Sequence, residues 1–97
     1  MLDAEILDAE VRVPDHVVYR DFVNETVVLN LQTGTYHGLN RTAGVMLTAL
    51  SSGATVRQAA AEVAEANDWD RAVVERDIVD LCRTLSESGL VDISGGA

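Results

Sequence analysis

Leu29-Asn30-Leu31-Gln32-Thr33-Gly34-Thr35-Tyr36-His37-Gly38-Leu39-Asn40 reads as two short strands joined at a glycine turn, ending on a residue suited to cap a helix. Val27, Leu29 and Leu31 fall on one face of the first strand, with Val28 and Asn30 on the other. Gln32-Thr33-Gly34 fits a three-residue hairpin loop with glycine in the left-handed position of a bulge. The second strand, residues 35–38, is short, and no further strand follows before helical spacing begins. A strand so placed lies at a sheet edge, where its unpaired N–H and C=O groups offer a template for an extended peptide.

Working outward, residues 17–22 mix β-branched and aromatic types with polar ones and read as a strand. Asn24-Glu25 supplies a turn, and residues 26–31 form the next strand, giving a three-stranded antiparallel meander. Three helices follow. Residues 42–50 carry Val45, Met46, Ala49 and Leu50 at helical spacing, with Asn40 or Thr42 as cap. Thr55 caps a second helix running through Ala66, and Asp70 a third over residues 71–88. The third has the clearest apolar stripe, Val74, Ile78, Leu81 and Leu85, and Gly89 stops it. Residues 90–93 read as a terminal strand and residues 11–13 as another, stopped by Pro14. The tandem echo Leu2-Asp3-Ala4-Glu5 and Leu7-Asp8-Ala9-Glu10 fits a helical turn, an acidic lead without structure, or an accident of composition.

These elements predict an α+β domain of winged-helix type, a three-stranded antiparallel sheet followed by three helices. Its limits are an acidic lead at 1–16, a folded domain at 17–93 and a loose tail at 94–97.

Composition narrows the function. The 97 residues carry seven arginines, no lysine and sixteen acids, a net charge of -9. Binding a polyanion needs clustered cations, and these arginines are dispersed. The predicted third helix, where a winged helix would read DNA, carries Glu75, Asp77, Asp80 and Glu87 and is repelled by phosphate. A winged-helix transcription regulator is therefore the weaker alternative, and neither nucleic acid nor membrane is an expected partner. Cys82 stands alone within a helix and reads as an apolar filler. His16 and His37 lie on separate strands without partner acids at a telling spacing. No nucleophile motif, phosphate loop or zinc signature is present, so no enzyme activity, metal or cofactor is expected. The absence of a signal peptide or a long apolar run points to the cytoplasm.

Gly34 to Ala43, then Ser52-Gly53-Ala54-Thr55-Val56, Arg76-Asp77-Ile78 and Ser88-Gly89-Leu90-Val91, together resemble the PqqD-like family. The resemblance covers about residues 17–93, and Tyr36-His37-Gly38-Leu39-Asn40 resembles the small stand-alone members of lasso-peptide clusters. It implies a peptide-recognition domain that binds the leader of a ribosomally made precursor. Such a domain presents the leader to a separate leader protease, and a separate cyclase then closes the ring. Carried onto this sequence, the leader adds as a strand along Thr35, Tyr36, His37 and Gly38. The facing positions on the predicted third helix are then Val74, Asp77, Ile78 and Leu81. The flank formed by Val79 and Cys82 is the second candidate for lining the groove.

Overall fold

The computed structural model describes residues 2–95. In chain order the elements are α1 (Asp3–Leu7), β1 (Ala9–Arg12), β2 (Val17–Asp21), β3 (Glu25–Asn30), β4 (Tyr36–Asn40), α2 (Arg41–Leu50), α3 (Val56–Asn67), α4 (Arg71–Glu87) and β5 (Asp92–Gly95). The antiparallel sheet β2-β3-β4 and the helices α2, α3 and α4 are the architecture expected from the sequence. A second antiparallel pair, β1 with β5, joins the two ends of the chain.

Local chemistry explains the boundaries. Asn40, rather than Thr42, caps α2, its side chain accepting from the Ala43 amide at 2.8 Å. Thr55 and Gln58 form a capping box at the start of α3. The Asp70 carboxylate accepts from the Val73 amide at 3.1 Å and starts α4. Gly89, with φ of 71°, closes α4 in a Schellman motif: the Leu90 amide reaches the Leu85 carbonyl and the Gly89 amide that of Ser86.

The hairpin loop is one residue wider than expected. The Asn30 amide donates to the Thr35 carbonyl and the Gly34 amide to the Asn30 carbonyl, so Leu31 to Gly34 all lie in the turn. The Asn30 side chain is the reason. It is buried and accepts from the Gln32 and Thr33 amides at 2.9 and 3.3 Å, an Asx-type turn that starts one residue early. Gly34 keeps the left-handed conformation, at φ of 75°.

Residues 2–16 are part of the folded body. The two copies of the echo adopt different structures, the first in α1 and the second crossing into β1. Ile6, Ala9 and Val11 are buried in the common core. Asp3 pairs with Arg83 on α4, and Asp8 accepts from Nε and Nη2 of Arg57 on α3. At the other end, Leu90 and Val91 are core residues, and Ser94 and Gly95 of the expected loose tail pair with β1. Gly96 and Ala97 lie outside the described residues.

One aliphatic core joins the inner sheet face, through Val17, Val28 and Leu39, to the buried stripes of α2, α3 and α4. Gly44 sets the distance between α2 and the sheet. A Cβ at this position would lie 2.2 Å from Oγ1 and 3.0 Å from Cβ of Thr26, so only glycine permits the approach. Thr26 is buried and donates its hydroxyl to Asp21 at 2.6 Å.

Candidate functional site

β4 borders β3 on one side and, among the described residues, no strand on the other. Antiparallel ladders alternate hydrogen-bonded and non-hydrogen-bonded pairs, and the Asn30–Thr35 bond fixes the phase. His37 and Leu39 therefore turn their backbone polar groups toward β3, as Thr35 does its carbonyl, while the Thr35 amide donates to the Thr33 hydroxyl. Tyr36 and Gly38 turn theirs outward along the free edge. The β2–β3 ladder agrees, because the Phe22–Glu25 and His16–Leu31 bonds put Glu25 of β3, and Leu31 just beyond it, on the β2 side.

Side chains follow the opposite alternation. His37 pairs with buried Val28 and lies half-buried on the inner face. Tyr36 pairs with Leu29 on the outer face and is 76% exposed. Gly38 is exposed and its only close neighbour, for a Cβ, would be Glu25 at 3.8 Å, so nothing crowds this edge. A strand laid against β4 would thus bond to Tyr36 and Gly38 and meet His37 on one face and Tyr36 on the other.

On α4 the structure divides the expected residues. Val74 is 2% exposed and Ile78 0%, so both belong to the core. The two residues expected to line the groove are thus covered by the core in the free chain. The stripe they belong to is the one that holds α4 onto the body, which is why it was the clearest in the sequence. Leu81, at 9%, stands at the margin of the core, and Asp77 is exposed. Helical geometry puts Asp77, Leu81 and Thr84 on one flank. The opposite flank is closed: α1 packs against α4, Asp3 pairs with Arg83, and Val79 and Cys82 are buried. The second candidate flank is therefore taken by the chain's own N-terminal helix. Sequence reading missed this because the residues that cover it, around Ile6, sat in a stretch resembling no motif.

Burial also pushes the Cys82 thiol up to about 12, leaving it protonated and inert at neutral pH. Among the described residues no cluster of three His, Cys, Asp or Glu could hold a metal, and no helix is long and apolar enough to cross a membrane.

Comparison with known proteins matches this geometry to a family. The family model for coenzyme PQQ synthesis protein D (PqqD) matches residues 25–91, from the start of β3 past the end of α4. No curated protein matches. Among solved structures, TbiB1 in complex with the TbiA(beta) leader peptide is similar at 32% identity, covering 84% of this chain and 94% of that one, with a TM-score of 0.74. A lasso peptide synthetase B1 complexed with the leader peptide is similar at 28% identity, covering 87% and 99%, with a TM-score of 0.71. The match takes in the free strand, the capped turn into α2, and α3 and α4, and on it the chain belongs to the PqqD family.

Proposed function

We propose that this chain is a non-catalytic binding module that captures the leader of a ribosomally made precursor, a lasso peptide precursor, by strand addition to β4. The observation that carries the reading is the likeness, over most of the chain, to two proteins that are each in complex with a leader peptide. The free edge supports it: Tyr36 and Gly38 point their amides and carbonyls away from β3 with no strand to receive them. Backbone pairing supplies affinity for any extended segment, and pockets for alternate side chains supply selectivity. On this chain those contacts fall to Thr35 just before β4, to Tyr36, His37 and Gly38 on it, and to Asp77 and the edge of Leu81 on α4. Val74 and Ile78 act behind them by fixing the position of α4.

The bound leader is handed in the cytoplasm to a separate leader protease, and a cyclase acts afterwards. The chain itself supplies neither an acid–base pair nor a nucleophile to that chemistry. Titration with the precursor's leader, and in parallel with duplex DNA at several salt concentrations, tests the reading. Saturable leader binding with no specific DNA binding is expected. DNA binding without leader binding would instead favour the winged-helix regulator, and leader cleavage by the isolated chain would remove the non-catalytic assignment.

A further inference from the structure

A cavity of about 600 Å³ opens at the end of the sheet away from Tyr36, between the β2–β3 turn, α2 and α3. Its volume falls within the range of ligand-sized sites. Phe22, Val45, Val63 and Ala66 give it apolar walls. Next to it the turn carries Phe22, 60% exposed, and Val23, more exposed still. Large apolar side chains held at the tip of a tight turn, beside an open apolar cavity, lose free energy to water unless something covers them.

The charges at the mouth select what covers them. Asp21, Glu25 and Glu62 line the cavity against a single cation, Arg41. Among the described residues none of these four takes part in an ion pair. A second copy of this chain, itself at -9, would bring the wrong sign. No residue of the β4 edge and none of α4 lines the cavity, so it and a peptide on β4 can be occupied together.

We infer that this cavity is a docking site for a partner protein, which inserts an apolar side chain flanked by basic residues. The apolar side chain fills the space between Val45 and Val63, and the flanking cations meet Glu25 and Glu62. Gly44 makes the site possible, because its lack of a side chain lets α2 close the floor against Thr26. The module then holds two things at once, a strand on β4 and a protein at the far end of the sheet.

The test uses two short probes, acetyl-Arg-Phe-Arg-amide and acetyl-Glu-Phe-Glu-amide, followed by the methyl signals of Val45, Val63 and Ala66. The basic peptide is expected to shift these methyls saturably, and the acidic one to leave them still. Raising salt from about 50 to about 500 mM should weaken the basic peptide by roughly fivefold, since its cations meet exposed carboxylates. Ala66→Trp, at an exposed helix position, should fill the cavity and abolish the shifts while leaving leader affinity unchanged. Glu25→Gln with Glu62→Gln, which alters only exposed side chains, should weaken the basic peptide by about the same factor as salt does. Absence of methyl shifts, equal shifts from the acidic peptide, or shifts confined to residues 35–38 would each overturn the inference. Loss of leader binding in the unmodified chain would count against the strand-addition reading alone.

Discussion

Single residues carry more of this structure than their frequency in the chain suggests. Gly44 lies inside α2, where alanine would ordinarily be favoured by about 1 kcal/mol. Here a Cβ would overlap Thr26, whose hydroxyl is already held by Asp21. Gly44→Ala is therefore expected to destabilise the domain by about 1–3 kcal/mol in urea denaturation, the range for overpacking. Removing the obstructing hydroxyl as well, with Thr26→Ala, should recover part of that loss. Cys82 makes a prediction in pH. Its thiol titrates near 9 when exposed and about 12 in the folded chain, so the native state keeps a proton that the unfolded state releases. Stability from this group is complete below pH 9 and falls by up to about 1.4 kcal/mol per pH unit above it. Denaturation midpoints of Cys82→Ala should lack that added slope. The sequence revealed that Cys82 is apolar filler. It did not reveal Gly44, because a close approach between helix and sheet leaves no trace in the letters of either element.

At the scale of elements, β2 to β4 and α2 to α4 were legible because local chemistry marked them: Thr55, Asp70, Gly34 and Gly89 all act where their types suggest. The parity of β4 was not. Whether Tyr36 or His37 turns its amide outward depends on the phase of the β3–β4 ladder, which the Asn30 turn sets. The apolar stripe of α4 is ambiguous for a related reason, since strong helical periodicity marks what is buried and does not by itself say what binds. Phase now separates two proline substitutions. Tyr36→Pro removes an outward amide, so thermal unfolding should change little while leader affinity drops by roughly tenfold, about 1.4 kcal/mol. His37→Pro removes an amide directed at Val28 and should lower the melting temperature. Calorimetric titration and thermal melts on the two variants check both statements. The reverse pattern would mean that the ladder has the opposite phase.

Across the whole molecule, the chain's ends turn out to be structural partners of its middle. α1 lies on α3 and α4, β1 pairs with β5, and Ile6 is 1% exposed, although the family match begins only at residue 25. The echo in the first ten residues left this open, because its first copy lies in α1 while its second leaves α1 at Leu7 and enters β1 only at Ala9. Ile6→Asp should cost several kcal/mol by burying an unpaired charge. Its melting temperature should fall steeply even though residue 6 lies far in sequence from the β4 edge. The central claim is that a leader peptide extends the sheet at β4, and amide hydrogen exchange with and without the leader tests it most directly. In the free chain Tyr36 and Gly38 should exchange fast while His37 and Leu39 are protected. With leader bound, Tyr36 and Gly38 should become protected and the other two stay so. Tight leader binding that leaves the Tyr36 and Gly38 amides exchanging as in the free chain would contradict the account.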